Sequence, residues 1–212
     1  MSEREVAFEK ARALGDEDKA DEALSVLSSY TTDPEVTLSL SEMEVLNTII
    51  TEKLTSCSFE DKKEACNVCI GVLENFKPVK DSQWLILYTE SIYETFSRMS
   101  RCARDEERQL VWNRLKEIMY ELTLASKKAW KEKNDPERLS IYVSFAKLCK
   151  SYLDVADQES FQICDNTAKE AKLAGKGTLD DDQWREANQS IEQIRKIISD
   201  ALHERELLDD SE

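Results

Sequence analysis

Apolar residues recur along this chain at the three- and four-residue steps that place them on one face of an α-helix. The most regular stretch runs from Val111 to Ala129, where apolar residues follow one another in alternating steps of four and three. The pattern predicts nine helices, over residues 3–14, 18–30, 39–57, 60–76, 81–102, 105–131, a seventh from Pro136, then 158–173 and 180–207. Because short links favour antiparallel neighbours, we expect an all-α protein of nine antiparallel amphipathic helices.

Glycine and proline, which break helices, are scarce, and all of them except Gly71 stand near predicted helix ends or between helices. The 212 residues include four Gly and three Pro, far below the usual frequencies of about 7% and 5%. Pro136 fits the first turn of a helix, where a backbone N–H has no partner to lose. Gly175 and Gly177 suit a left-handed helix end. With no low-complexity linker in view, the sequence predicts a single domain over residues 1–207 and an acidic disordered tail over 208–212.

The charge of the chain excludes some classes of partner. Its formal net charge is −15, and nucleic-acid phosphates attract Lys and Arg instead, so we expect no nucleic-acid ligand. No run of 18 apolar residues occurs, so we expect no membrane span. The first residues, MSEREVAFEK, are acidic and helical, so we expect no signal peptide.

The cysteines and tryptophans lie within helical patterns. Cys66 and Cys69 form a C-x-x-C pair that is compatible with a zinc or redox site. The chain has one histidine, His203, and no second C-x-x-C pair, so we favour buried, reduced thiols and expect neither metal nor cofactor. Because reduced cysteines are typical of reducing compartments, we expect the protein in the cytoplasm, with the nucleus as a further location. We expect the four tryptophans, at positions 84, 112, 130 and 184, in the core.

No catalytic pattern is visible in the sequence. There is no Ser-His-Asp or Cys-His set and no Gly-rich phosphate loop, and the carboxylates fit solvated helix faces. We therefore expect a protein that is not an enzyme.

The seventh helix reads Pro136-x-Arg-Leu-x-Ile-x-Val-x-Phe-x-x-Leu. This pattern resembles the helix that lines the peptide groove of the 14-3-3 family. Weaker matches occur in the same order along the chain, at Leu38-Ser39 with Glu42, Cys66-Asn67, and Trp184-Arg185-Glu186-Ala187. The resemblance implies a 14-3-3-like fold and a non-enzymatic adaptor that binds a peptide segment, phosphorylated or not, in a concave helical groove. Its partners would be proteins.

The positions that grip phosphate in the 14-3-3 family are altered here. The resemblance places Thr51 and Cys57 where the family has a Lys and an Arg on helix three, and Thr95 and Phe96 where it has an Arg-Tyr pair on helix five. Ser144 stands where the family has an Asn that contacts the peptide backbone. We therefore expect dependence on phosphoserine or phosphothreonine to be weakened or lost.

Two other cations could form a displaced anion site. Arg98 lies three residues after Thr95, and Lys147 three residues after Ser144, so each is one helical turn further along the same face. The alternative is that both are ordinary solvated or ion-paired surface cations. The candidate groove residues are therefore Thr51, Thr95, Phe96, Arg98, Val143, Ser144, Lys147 and Ile194.

A second function and the assembly state remain open at this point. The alternative function is a helical scaffold whose groove is closed or vestigial and which acts through its acidic outer surface. Relative to the 14-3-3 family, the chain is shorter between Cys57 and Cys66, in the hairpin of helices three and four. Because that hairpin contributes to the family's dimer, we expect a monomer or a dimer that is joined by a different surface.

Overall fold

The computed structural model of the protein describes residues 3–17, 19–28 and 37–209. Within these ranges the regular structure is nine α-helices, without a β-strand. Their bounds are α1 (Glu3–Asp16), α2 (Ala20–Ser28), α3 (Leu40–Ser56), α4 (Lys62–Leu73), α5 (Ser82–Met99), α6 (Asp105–Ala129), α7 (Pro136–Ser151), α8 (Gln158–Ala174) and α9 (Asp181–Asp209). The predicted all-α class is confirmed for this part of the chain.

The helices form two compact units. The first spans Met1–Ala103 and contains α1 to α5, and the second spans Arg104–Glu212 and contains α6 to α9. That residues 1–207 make a single domain stays a prediction.

Helix starts are capped by the residues that the sequence suggests. The Ser39 side chain accepts a hydrogen bond from the Glu42 N–H, and the Glu42 carboxylate accepts one from the Ser39 N–H at 2.7 Å, which is a capping box for α3. Asp135 accepts from the Glu137 N–H at 2.9 Å, directly before Pro136 in the first turn of α7. These local bonds explain why both starts are predicted to within one residue.

Two helices end about one turn earlier than their apolar pattern predicts. The α4 helix ends at Leu73 instead of Phe76, and α5 ends at Met99 instead of Cys102. In both cases the following residues bond three positions back, from the Phe76 N–H to the Leu73 carbonyl at 3.2 Å and from the Cys102 N–H to the Met99 carbonyl at 2.9 Å. These tight turns satisfy carbonyl groups that the helix end leaves open.

The first helix continues through Gly15, where the sequence predicts its end. A Cβ atom at Gly15 would lie 3.5 Å from Ile49 Cγ1 of α3, which is an ordinary van der Waals distance. Gly15 is buried inside α1. The prediction that Gly15 ends the helix was therefore wrong.

Some predicted helix boundaries lie next to or within the residues that the structure does not describe. The α9 helix continues to Asp209, two residues past the predicted boundary of 207, because a formed helix gains one hydrogen bond with each added residue. Residues 210–212 of the predicted tail, the predicted start of the second helix at residue 18 and its last residues, 29 and 30, lie outside the described residues.

In the first unit α3 is the central helix, because it packs against α1, α2, α4 and α5. The α5 helix packs against α3 and α4. The buried side chains of α5 include Trp84, Leu85, Tyr88, Ile92 and Phe96. The Tyr88 hydroxyl donates to the Leu73 carbonyl at 2.9 Å, and this bond joins the end of α4 to α5.

In the second unit α7 is the central helix. It packs against α6, α8 and α9. Nine of its 16 residues are buried, which is more than one amphipathic face provides. The α7 helix is therefore enclosed on several sides, and its polar end groups need partners within the protein.

Three of the four tryptophans are in the core, as the sequence predicts. Trp84, Trp112 and Trp130 are buried. Trp184 is half-buried in the first turns of α9, where it lines a surface cleft with Arg185 and Asn188. The prediction was wrong for Trp184, because the start of a helix has fewer neighbours than its middle.

Two arginines hold the segment that follows α7. Arg108 of α6 donates to the Ser151 carbonyl at 2.6 Å and to the Asp154 carboxylate at 2.7 Å. Arg205 of α9 donates to the Leu153 carbonyl at 2.5 Å and to the Ala156 carbonyl at 2.7 Å. Carbonyl groups near the end of a helix have no partner within the helix, so these cations supply the missing donors.

Asp157 completes this arrangement at the start of α8. Its carboxylate accepts from Ser160 N–H at 3.0 Å, Trp112 Nε1 at 3.2 Å and the Lys116 ammonium at 3.1 Å. Burial alone raises the pKa of Asp157, but the bonds from Lys116, Ser160 and Trp112 together outweigh it and lower the pKa. The ionised carboxylate is therefore the form that the fold stabilises.

We expect Asp157→Ala to lower the free energy of unfolding by about 2 kcal/mol at neutral pH, because it removes the α8 cap and one partner each from Trp112 and Lys116. A pKa that is lower in the folded state stabilises the fold above the unfolded value of about 3.9, and this contribution disappears as the pH falls through the folded value. The difference between wild type and variant in urea unfolding should therefore shrink between about pH 5 and pH 3.

Asp157→Asn is the matched control, because asparagine caps helices as well as aspartate does but carries no charge. It should cost less than Asp157→Ala and should show the same loss of effect in acid. A cost of Asp157→Ala that stays constant from neutral to acidic pH would contradict the proposed role of the charge.

Candidate peptide-binding site

The predicted groove residues are divided equally between the two units. Those of the first unit are Thr51, Thr95, Phe96 and Arg98, and those of the second are Val143, Ser144, Lys147 and Ile194. A peptide ligand needs exposed side chains and free hydrogen-bond donors or charges at such positions.

In the first unit the two positions on α5 face the interior. The side chains of Thr95 and Phe96 are 0% exposed, and α5 packs there against α3 and α4. Thr51 of α3, in contrast, is exposed. Thr95 and Phe96 therefore belong to the core of this unit.

Arg98 is committed to the end of a neighbouring helix. Its Nη1 group donates to the carbonyl of Leu54, in the last turn of α3. Its Nε and Nη2 groups contact the Glu94 carboxylate, each at 3.2 Å. All three nitrogens of the guanidinium thus have partners within the unit. This geometry favours an ion-paired structural cation over a displaced anion site.

The second unit has the same division between buried and accessible positions. Val143 of α7 and Ile194 of α9 are buried, and the two helices pack against each other. Ser144 and Lys147 are half-buried, one turn apart on α7. The exposed surface that this unit offers a ligand at these positions is therefore polar.

The six cysteines are all free thiols. Cys66, Cys69, Cys149 and Cys164 are buried, whereas Cys57 and Cys102 are half-buried. Burial raises the pKa of Cys66 and of Cys69 to about 12, so these thiols are protonated and unreactive at neutral pH. In the described part of the chain, no group of three or more His, Cys, Asp or Glu side chains could hold a metal ion.

The structural arginines were not predicted from the sequence. Arg98 bonds to a residue 44 positions earlier, and Arg205 bonds to residues 49 and 52 positions earlier. A cation in the last turn of a helix is the local signal for such bonds, and Arg98 lies in the last turn of α5. The identity of the distant carbonyl group has no local signal.

The geometry defines an all-helical protein in which most of the predicted ligand positions are buried or engaged. A family model described as a domain of unknown function (DUF7758) matches residues 43–153. The chain therefore belongs to the DUF7758 family. The matched segment contains seven of the eight candidate residues, all except Ile194. A comparison with curated proteins found no match.

We expect Arg98→Ala to lower the free energy of unfolding by about 1.5–3 kcal/mol, because it leaves the Leu54 carbonyl without its charged donor. Arg98→Lys keeps the charge but loses the fork that reaches the carbonyl and Glu94 together, so its cost should be intermediate. Urea or thermal unfolding of the purified variants measures both effects.

Arg185→Ala is the control for loss of an arginine. The Arg185 side chain is 66% exposed and pairs with Asp182 at 2.8 Å, and exposed pairs contribute about 0–1 kcal/mol. An Arg98→Ala variant as stable as Arg185→Ala would show that the bond to Leu54 is not structural.

Proposed function

We propose that this chain is a non-enzymatic adaptor that binds a peptide segment of a partner protein and does not require phosphate on it. The proposal rests first on the resemblance of the α7 sequence to the groove helix of the 14-3-3 family. It is supported by the nine helices that the described residues form, whose order and approximate lengths agree with the sequence pattern. A 14-3-3-like arrangement of these helices is part of the proposal.

The main support for a loss of phosphate dependence is that the Arg98 side chain is already bonded to other groups of the protein. Phosphate recognition needs cations whose donors point at the ligand, and arginine is favoured because its fork binds two oxygens. By the resemblance to the 14-3-3 family, the positions that grip phosphate there are occupied here by residues without charge, namely Thr51, Cys57, Thr95 and Phe96. Arg98, the nearest cation on α5, donates instead to the Leu54 carbonyl and the Glu94 carboxylate.

The burial of four candidate positions favours a second function. Thr95, Phe96, Val143 and Ile194 are at most 7% exposed, so these side chains offer a peptide very little surface. The alternative is a helical scaffold with a closed or vestigial groove. Such a scaffold would act through its acidic outer surface, in keeping with the net charge of −15.

We propose a cytoplasmic location, which extends to the nucleus, because six free cysteines suit a reducing environment. Among the described residues, no helix combines the length and the apolar character needed to cross a bilayer.

We expect phosphorylated and unphosphorylated versions of the same peptide to bind with affinities that differ by less than about tenfold, which is 1.4 kcal/mol. The reason is that the charged hydrogen bonds that distinguish the two forms, about 1.5–3 kcal/mol each, are absent. Isothermal calorimetry with a panel of phosphoserine peptides and their serine counterparts measures the ratio.

A Lys147→Glu variant tests whether any remaining phosphate preference depends on that cation. Lys128→Glu, at an exposed position of α6, is the matched control, because it changes the net charge by the same amount and in the same direction. Selective micromolar binding of the phosphorylated peptides would overturn the proposal, and the absence of binding by every peptide would favour the scaffold alternative.

A further inference from the structure

The turn between α3 and α4 carries an exposed aromatic side chain. Phe59 is 86% exposed, whereas the other five phenylalanines of the chain are buried. The Lys62 ammonium lies 5.7 Å from the centre of its ring, and no apolar core covers it. Aromatic residues that are exposed in this way are enriched at sites of protein–protein contact.

A cleft of about 700 Å³ lies beside this turn, and we call it the hairpin cleft. Two of its lining residues, Ser58 and Asp61, directly flank the exposed Phe59 and Glu60 in the sequence. Its lining includes apolar residues from α4 and the end of α3 as well as acidic residues. The apolar ones are Cys57, Ala65 and Val68, and the acidic ones are Asp21, Asp61 and Glu64.

The lining of the hairpin cleft has a net negative charge. It holds three carboxylates, Asp21, Asp61 and Glu64, and one cation, Lys53, which is paired with Asp21 at 2.5 Å. The Asp61 carboxylate accepts from the Ser58 hydroxyl at 2.6 Å, which leaves its charge in place. Lys62 and Lys63 follow Asp61 in the sequence and lower the net negative charge of the turn, but they are not among the residues that line the cleft. A ligand with positive charge would therefore meet the Asp61 and Glu64 carboxylates next to an apolar surface.

We propose that the hairpin cleft binds a basic peptide segment of another protein, in which an apolar side chain is flanked by lysine or arginine residues. The apolar side chain would pack against Phe59 and Val68, and the cations would meet Asp61 and Glu64. Lysine and arginine suit such a site twice, because their stems are apolar and their heads are charged. All of these residues lie in the first unit, so the inference does not rest on the groove of the proposed adaptor function.

The charge of the cleft argues against other occupants. Nucleic acid and anionic lipid surfaces present phosphates, which Asp61 and Glu64 repel. A second copy of this chain would bring a net charge of −15 toward the same carboxylates. A basic segment is the ligand for which both the charge and the apolar lining are favourable.

The test uses the full chain and a fluorescein-labelled peptide of the sequence Ser-Lys-Arg-Leu-Phe-Lys-Arg-Ser, in fluorescence anisotropy at about 0.15 M salt. A second peptide, in which Gly-Ser replaces Leu-Phe, has the same charge without the apolar pair. We expect saturable binding of the first peptide and at least about tenfold weaker binding of the second.

Matched variants separate the hairpin cleft from the general acidity of the chain. Asp61→Asn combined with Glu64→Gln should weaken binding by about tenfold, since two facing charges are lost. Asparagine keeps the start of α4 favourable, and Asp61 makes no side-chain cap bond there. The control is Glu117→Gln combined with Glu121→Gln, two exposed positions on α6 that change the net charge equally.

A second pair of variants tests the aromatic contact. Phe59→Ala should weaken binding about fivefold, whereas Leu124→Ala, at a 57% exposed apolar position on α6, should leave it unchanged. Equal effects of test and control variants, or a lack of saturable binding, would overturn the proposal. So would a dimer in light scattering that dissociates on Phe59→Ala, because it would assign the surface to a second copy.

Discussion

The structure depends on supplying donors to carbonyl groups at the ends of helices that are buried on several sides. An enclosed helix cannot leave these groups to water, and an unpaired buried carbonyl costs about 1–3 kcal/mol. In each unit an arginine from a neighbouring helix provides the donor. Arg98 reaches the end of α3, and Arg108 and Arg205 hold the segment after α7. These arginines therefore have a structural role, and their donors are bonded within the protein.

This use of arginine limits what the protein can recognise. The chain has 29 Lys and Arg against 44 Asp and Glu. Because cations are in the minority, an arginine that is bonded to carbonyl groups is one cation fewer for binding an anion. A phosphate ligand would have to compete with Leu54 and Glu94 for the donors of Arg98. The lining of the hairpin cleft carries a net negative charge that includes Asp61 and Glu64, and this charge favours partners that carry positive charge.

Local features of the fold could be predicted from the sequence, whereas features set by distant contacts could not. The starts of α3 at Ser39 and of α7 at Asp135–Pro136 depend only on neighbouring residues, and both starts were predicted to within one residue. Gly15 is buried inside α1 beside Ile49 of α3, and no local pattern shows that neighbour. The candidate site follows the same division. The loss of charge at Thr95 and Phe96 is visible in the sequence, but their complete burial is a result of packing.

The commitment of arginine to the fold is tested most directly by NMR of the arginine side-chain N–H groups in ¹⁵N-labelled protein, alone and with millimolar phosphoserine. The account predicts that the Arg98 side-chain resonances exchange slowly with water and do not move when phosphoserine is added, because their partners are Leu54 and Glu94. Fast exchange in the free protein, followed by a saturable shift on addition of phosphoserine, would contradict it.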